Sequence, residues 1–373
     1  MRHGEYLADM RIFRYTQNEP LHGGNVLYYS RKYGIPAGKI IDFSASVNPL
    51  GPPTKSLAAM ERAFSELSRY PDPDSGELTE KLAALHGLKE DEILVGNGST
   101  ELIYLLPRAL GVKKVVVLAP SFSDYERASS LAGARVMRLP LLGKNNFRPG
   151  MDAISRGLKR CGLMFLCNPN NPTGALIPRE RLLGLLDEAS RTGTVICIDE
   201  AFIEYAGKES VLREAVRLGA VVLRNFTKFY GMPGIRIGYA AADAGIIARM
   251  KLGREPWTVN CLAQAAAIAA LGDREYEKET LARNEVERDY MFDAISGTGW
   301  LSPYPSSANF LLVKILGIKP GSSELTERLA RLGLIVRDCS NFPGLGDRFI
   351  RVAILSRPQN RKFIKVLQSF TTL

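Results

Sequence analysis

The 373-residue sequence lacks the cysteine patterns of a disulfide-bonded or metal-binding chain. Its five cysteines, Cys161, Cys167, Cys197, Cys261 and Cys339, are odd in number and show no CxxC spacing. This usage argues against a disulfide framework and favours reduced thiols in a cytoplasmic protein. We expect no metal site built from them.

Long apolar runs are also missing. The longest, CLAQAAAIAAL, is about half of the roughly 20 residues that a membrane-spanning helix needs. The opening stretch MRHGEYLADMRIFRYTQNEP is charged throughout and has no apolar core of a secretory signal. We therefore expect a cytoplasmic protein without a membrane partner.

The charge pattern contains no long lysine or arginine run, no zinc-finger spacing and no RNA-binding signature. Lysine and arginine number 49 against 39 acidic residues, a net charge of +10, but they are dispersed along the chain. Dispersed positive charge does not predict a nucleic-acid partner, and it suits small phosphorylated ligands better. A hydrophobic content of 46% is that of an ordinary globular enzyme.

Strand and helix patterns alternate from about residue 90 onward. Short β-branched runs, EILVG, KKVVVLAP, ARVMRLP, GLMFLCNP, TVICIDE and AVVLRNF, are separated by amphipathic helical stretches. This alternation predicts an α/β fold with a mostly parallel, buried sheet. After about residue 256 a long helical region precedes mixed strands and helices. We predict an N-terminal segment (1–50) packing on the small domain and the active site, a large domain (51–256) and a smaller α+β domain (257–373).

Residues just after the strands are the first candidates for a site, because ligands of such sheets bind outside the carboxyl ends of the strands. In GNGSTE, the amides of Ser99 and Thr100 open a helix and suit a phosphate, although a plain capped helix has the same pattern. Phe122 is placed either to stack on a planar ligand or to fill the core. Asn171, between two prolines, is either a rigid hydrogen-bond donor or part of a structural turn.

Two charged residues at strand ends complete this set. Asp199 ends a very apolar strand, so it requires a buried cation as partner or caps a helix. Lys228 follows AVVLRNF, where burial would lower its pKa and make it nucleophilic; a solvated strand end is the alternative. Together the five features describe a site for a planar, phosphorylated aldehyde with a basic ring nitrogen. Pyridoxal phosphate has all three properties.

The order GNGSTE, NPNNPTG, DEAF and TKFYGMPGIR closely resembles the fold-type-I pyridoxal-phosphate enzymes of the class I/II aminotransferase superfamily, over nearly the whole chain. The resemblance implies that Lys228 binds the cofactor aldehyde covalently, that Asp199 pairs with the protonated pyridine nitrogen and that Asn171 bonds the phenolic oxygen. Phe122 would stack on the ring. The phosphate would be held by Ser99, Thr100, Thr227 and Arg236. Tyr70, in YPDP, would reach the phosphate site of a neighbouring subunit, which implies a homodimer with shared active sites.

Two branches of this superfamily are similar to the sequence. LHGGN, Phe202 in DEAF, and IVRDCSNFPGLGDRFIRVAI resemble the L-threonine-O-3-phosphate decarboxylases of cobalamin synthesis; histidinol-phosphate aminotransferases, which use 2-oxoglutarate, are the second choice. By the resemblance Arg351 would take the substrate carboxylate. Residues suited to the substrate phosphate are a cation and glycine amides: Arg337, His22, Gly23, Gly24 and Asn25, with Asn48 in the same pocket. A surface histidine and a glycine turn are the alternatives. A pyridoxal-phosphate-binding regulator is disfavoured, since no helix-turn-helix pattern precedes residue 20.

Overall fold

The computed structural model describes residues 22–317 and 320–370. The part of the predicted N-terminal segment before His22 lies outside these residues. The principal sheet has seven strands in the order β2-β8-β7-β6-β5-β3-β4. Their bounds are Ile93–Gly96 (β2), Lys114–Ala119 (β3), Arg135–Pro140 (β4), Leu163–Cys167 (β5), Val195–Asp199 (β6), Val221–Asn225 (β7) and Gly238–Ala241 (β8).

The six strands predicted between residues 90 and 226 are all present, and the mostly parallel arrangement is confirmed. Only β8 runs antiparallel to its neighbours β2 and β7 among the strands of this sheet. Alternate residues enter separate cores on the two faces: Val116 and Leu118 of β3 on one, Val115 and Val117 on the other. Burial of both faces explains why these strands are continuous apolar runs.

Two smaller sheets lie in the C-terminal part. The strands β9 (Leu301–Pro303), β10 (Phe310–Ile315), β12 (Arg337–Asp338) and β13 (Phe349–Ala353) form an antiparallel sheet. The strand β1 (Ile41–Asp42) pairs in parallel with β11 (Leu334–Ile335), which ties the N-terminal part to this region. The boundaries at residues 50 and 256 stay predictions.

Helices cover both faces of the principal sheet and flank the smaller ones. Their bounds are Val26–Tyr33 (α1), Thr54–Arg62 (α2), Gly76–His86 (α3), Gly98–Leu110 (α4), Ser123–Leu131 (α5), Met151–Leu158 (α6), Arg179–Thr192 (α7), Leu212–Arg217 (α8), Ala244–Leu252 (α9), Cys261–Ala270 (α10), Arg274–Ser296 (α11), Ser322–Arg331 (α12) and Arg357–Ser369 (α13). Within the two described ranges, no helix is both long and apolar enough to cross a membrane.

Candidate active site

A cavity of about 460 Å³ opens at the carboxyl ends of the central strands. The fold brings most of the predicted site residues to its wall, although they are scattered over more than 300 positions of the sequence. The predicted residues that line it are His22, Gly23, Ser99, Thr100, Phe122, Asn171, Asp199, Thr227, Lys228, Arg236, Arg337 and Arg351.

One end of the cavity is formed by the N-terminus of α4. Gly98 has a φ of +76°, and a Cβ built there would lie 2.7 Å from Nη2 of Arg236. The missing side chain therefore lets the guanidinium lie against the first turn of the helix, beside the amides of Ser99 and Thr100. A cation and unbonded helix amides together form an anion site.

The loop that carries Lys228 is fixed by asparagines. Oδ1 of Asn225 accepts from the Thr227 hydroxyl at 2.7 Å, from the Thr227 amide at 3.0 Å and from the Lys228 amide at 3.3 Å. Burial, together with the charges of Arg351 and Arg236, lowers the pKa of Lys228 to about 8. The amine is therefore uncharged more often than an ordinary lysine, as a nucleophile requires.

Asp199 lies at the end of β6, buried and hydrogen-bonded. The Tyr125 hydroxyl donates to its Oδ2 at 2.6 Å, and the amide of Ala201 donates to Oδ1 at 3.0 Å. Burial raises the pKa of Asp199 to about 6, while the bond from Tyr125 opposes that rise. Tyr125 is itself held by stacking on Phe165, with ring centroids 4.9 Å apart and planes 9° apart.

Asn171 and Arg351 are joined directly. Nη1 of Arg351 donates to Oδ1 of Asn171, and Nη2 donates to the carbonyl of Ser44 at 2.7 Å. The Asn171 amide is thereby oriented with its donor nitrogen away from the guanidinium. Burial lowers the pKa of Arg351 to about 10, and the nearby charge of Arg337 acts in the same direction.

Arg337 and Arg351 are cross-strand partners in the β12–β13 pair, and both are buried. Arg337 donates to the carbonyl of Asp338 at 2.7 Å and to Oδ1 of Asn341 at 2.9 Å. His22 lies nearby, with its ring 5.7 Å from that of Phe122. This side of the cavity therefore places two buried guanidinium groups and an imidazole close together.

The structure corrects the prediction for Asn48, which does not line this cavity. Its amide nitrogen lies 2.8 Å from the carbonyl of Phe229 and 2.9 Å from the hydroxyls of Tyr276 and Thr280. Its backbone amide donates to the carbonyl of Lys228 at 3.0 Å. Asn48 thus supports the lysine loop from behind, because its short polar side chain is fully used by that packing.

Three other predicted residues are also away from the cavity wall. The amide of Gly24 donates to Oγ of Ser44 at 2.9 Å, and Oδ1 of Asn25 accepts from the Tyr28 amide at 3.2 Å, which caps α1. Tyr70 is 80% exposed and stacks on Trp257 at 4.7 Å. Its predicted role needs a second subunit and stays a prediction.

Sequence reasoning missed Tyr125, Asn225 and Ser44. Tyr125 follows Phe122 by three residues, so one helical turn places it beneath the proposed stacking ring. Asn225 precedes Thr227 by two residues, the spacing of a side chain that bonds its own backbone. These two signals are visible in the sequence, whereas the contact between Ser44 and Arg351 joins residues 307 positions apart.

The residues present fit pyridoxal phosphate. The cradle of Gly98 and Arg236 suits its phosphate, and the buried carboxylate of Asp199 suits its protonated ring nitrogen. Lys228 lines the same cavity with a lowered pKa. The donor set and the cavity volume thus match a phosphorylated pyridine aldehyde.

Known proteins resemble this chain over most of its length. The family model described as aminotransferase class I and II matches residues 38–367. The threonine-phosphate decarboxylase of Salmonella typhimurium is 34% identical over 94% of this chain and 96% of its own. The histidinol-phosphate aminotransferase of Moorella thermoacetica is 35% identical over 88% of this chain and 85% of its own.

Among solved structures, the histidinol-phosphate aminotransferase from Clostridium acetobutylicum superposes with a TM-score of 0.83 at 32% identity. The match covers 88% of this chain and 98% of that one. The fold and the family therefore agree, while the relatives differ in the reaction that their names give.

Proposed function

We propose that this chain, which belongs to the aminotransferase class I and II family, decarboxylates L-threonine O-3-phosphate to (R)-1-aminopropan-2-yl phosphate. This reaction is a step of cobalamin side-chain assembly. The chain is a pyridoxal-phosphate-dependent enzyme. The finer assignment concerns which bond at the substrate Cα breaks.

The observation that carries this proposal is the buried pair Arg337 and Arg351, facing each other across β12 and β13 with His22 beside them. Threonine phosphate has two anionic groups, a carboxylate and a phosphate, and two fixed cations suit both at once. Histidinol phosphate offers one anionic group and an imidazole ring, which finds less complementary charge on this wall.

When bound, pyridoxal phosphate supplies an electron-accepting ring that stabilises negative charge at the substrate Cα. Asp199, which accepts a hydrogen bond from Tyr125, would provide the negative charge that keeps the ring nitrogen protonated. Asn171, whose oxygen is held by Arg351, would donate from its amide nitrogen to the ring's phenolic oxygen.

Arg351 selects the bond by holding the substrate carboxylate. Its position is fixed by the Ser44 carbonyl and by Asn171, so the carboxylate that it binds would be held in one orientation. If that orientation aligned the Cα–carboxylate bond with the electron-accepting group, the carboxylate would leave as carbon dioxide, its bonding electron pair would remain at Cα, and Cα would then take a proton. Lys228 Nζ is placed in the same cavity to deliver that proton.

Phe202 supports decarboxylation as well. It lines the cavity, is buried and packs edge-to-face on Phe310 at 5.0 Å. Aminotransferases of this branch usually have a tyrosine at this place, whose hydroxyl would be a second donor to the phenolic oxygen. Without that hydroxyl, Asn171 is the principal donor that we assign to it.

Histidinol-phosphate transamination is the second candidate, favoured by the Moorella and Clostridium relatives. Histidinol phosphate has no carboxylate at Cα, so this reaction would need its Cα–H bond aligned for Lys228 to take the proton. The same arginines could bind the two carboxylates of its second substrate, 2-oxoglutarate, whereas histidinol phosphate itself offers no carboxylate to Arg351.

The direct test supplies purified holoenzyme with L-threonine O-3-phosphate and traps carbon dioxide, then supplies histidinol phosphate with 2-oxoglutarate and measures glutamate. We expect carbon dioxide and no glutamate; glutamate alone would transfer the assignment to the aminotransferase.

Arg351→Lys keeps the charge but loses the planar fork, so we expect about a 100-fold lower decarboxylation rate. Arg348→Lys, three residues earlier and bonded to the carbonyls of Pro320 and Ile315, is the matched control.

A further inference from the structure

Asp124 is a buried carboxylate on the wall of the cavity that the proposed chemistry does not use. It lies in the first turn of α5 and is only 5% exposed. A negative charge there opposes the binding of an anionic substrate. A buried carboxylate at this place therefore indicates a neighbouring group that its negative charge stabilises.

Two side chains face this carboxylate from different parts of the chain. The Tyr104 hydroxyl, on α4, donates to Oδ1 at 3.0 Å, and Nε2 of His22 lies 3.8 Å from Oδ2. Tyr104 and the helix α5 hold Asp124 on the principal sheet. His22 comes from the segment before α1, so the contact bridges two separate parts of the fold.

The segment that carries His22 is seated on Ser44. A Cβ at Gly23 would lie 2.2 Å from the Ser44 carbonyl oxygen, so no larger residue fits. The Gly24 amide donates to the Ser44 hydroxyl, and the Ser44 carbonyl accepts from Arg351. The position of His22 is thus linked to that of the guanidinium assigned to the substrate carboxylate.

His22 lies near one carboxylate and three guanidinium groups. The pKa of His22 lies below its ordinary value, because burial and the charges of Arg337, Arg127 and Arg351 outweigh the opposing effect of the Asp124 carboxylate. Removal of Asp124 would leave the imidazole facing three guanidinium groups without a counter-charge. A neutral imidazole has one N–H donor, and an imidazolium has two.

We propose that Asp124 is a positioning residue whose carboxylate holds His22 over the cavity and stabilises its imidazolium when the substrate phosphate binds, with the second N–H directed to that phosphate. Asp124 does not touch the substrate; it acts through His22. This inference rests on the proposed function for the identity of the phosphate-bearing substrate, but the contact itself can be measured without turnover.

The first test is a histidine titration of the holoenzyme by NMR. The chain has three histidines. Burial lowers the pKa of His86 to about 3, so its signal stays constant over the pH range in which His22 titrates. His22→Gln identifies the signal. We expect Asp124→Asn to lower the midpoint of His22 by about 0.5 to 1 unit, and inorganic phosphate to raise it in the unsubstituted protein.

Glu126→Gln is the matched control, because Glu126 is on the same helix and is bonded to Arg138 at 2.6 Å. An unchanged His22 midpoint in Asp124→Asn, or an equal shift in Glu126→Gln, would overturn the proposal. Asp124→Glu keeps the charge and should recover part of the shift, which separates loss of charge from misfolding.

The second test is kinetic. In Asp124→Asn we expect the KM for L-threonine O-3-phosphate to rise about tenfold at pH 7.5, with kcat within about threefold. The effect should shrink as the pH falls below the His22 midpoints of both proteins, where the imidazole is protonated without the help of Asp124. The double variant with His22→Gln should be no worse than His22→Gln alone, since the two residues act as one unit.

Additive losses in the double variant would contradict the inference. Absence of carbon dioxide release by the unsubstituted enzyme would instead refute the proposed function, and the NMR titration would still decide the role of Asp124.

Discussion

Tyr125 is the residue whose effect on the cofactor site is most easily isolated. Tyr125→Phe removes the hydroxyl that donates to Asp199 at 2.6 Å and keeps the ring stacked on Phe165. The pKa of Asp199 should rise further, because that bond stabilises the ionised form. We expect the dissociation constant for pyridoxal phosphate to rise about tenfold, measured by absorbance titration of the apoenzyme.

Tyr104→Phe is the control for that experiment. It removes a hydroxyl from the same cavity, but one that bonds Asp124 rather than Asp199. Equal losses of cofactor affinity in the two variants would contradict the role assigned to Tyr125.

Asp199 should also affect the stability of the apoenzyme in a pH-dependent way. Burial raises its pKa to about 6 from an ordinary 3.8, so between these values the folded chain binds more protons than the unfolded one. The free energy of unfolding therefore falls as pH rises through this window, by about 3 kcal/mol in total. Asp199→Asn lacks this loss. Urea unfolding of both apoenzymes should show a stability gain for the variant that is larger at pH 8 than at pH 5; a gain independent of pH would refute the explanation.

The residues that sequence could predict are those whose type is unusual for their place. Lys228 and Asp199 stand out because charged groups follow very apolar strands, and Arg236 because of its spacing from Lys228. Tyr125 was missed because a tyrosine on an amphipathic helix is ordinary core material, and only its spacing from Phe122 indicates a place in the site. The prediction that Asn48 lines the cavity was wrong, because an asparagine near a glycine-containing turn has the same sequence pattern whether it lines a cavity or supports a loop.

At the scale of elements, the junction between β2 and α4 forms the proposed phosphate cradle. Gly98→Ala would place a methyl group 2.7 Å from Nη2 of Arg236 and also strain a backbone φ of +76°. We expect cofactor affinity to fall at least about tenfold as the guanidinium is displaced from the helix amides. Equilibrium dialysis of pyridoxal phosphate measures the change.

Gly111→Ala provides the comparison at the other end of the same helix. Gly111 has a φ of +62°, and a Cβ there meets nothing within 4 Å. This variant carries the strain of a positive φ without the clash. Should both variants lose the same cofactor affinity, the cradle would not be the cause.

Most elements were predictable because their periodicity is strong, and β8 shows why one was not. Its sequence, GYAA, is short and rich in small residues, which seldom form strands. Gly238 is nevertheless required, since a Cβ would lie 2.6 Å from the Ser99 amide nitrogen and 2.7 Å from the Arg224 carbonyl oxygen. Tertiary packing against α4 decides this strand, and no local pattern records it.

Several large apolar side chains are exposed on the whole chain, and we predict that they contact a second subunit. Tyr70 is 80% exposed and stacks on the half-exposed Trp257, and Phe64 and Leu67 are exposed nearby in sequence. Apolar groups this exposed suggest an interface. We expect analytical ultracentrifugation to give twice the chain mass.

Tyr70→Phe tests the shared site within that dimer. The ring and its stacking remain, but the hydroxyl assigned to the neighbouring subunit's cofactor phosphate is lost. Cofactor affinity should fall while the mass stays dimeric. A fully active monomer would contradict both the dimer and the role of Tyr70.

The proposed roles of the cavity residues all depend on a covalent bond between Lys228 and pyridoxal phosphate. Borohydride reduction of the holoenzyme, followed by tryptic digestion and mass spectrometry, detects that bond. We expect a pyridoxyl-phosphate group on Lys228 in the peptide NFTKFYGMPGIR, because trypsin does not cleave after the modified lysine, and no such group in Lys228→Ala. An unmodified NFTK peptide from reduced, cofactor-loaded protein would refute the covalent role of Lys228.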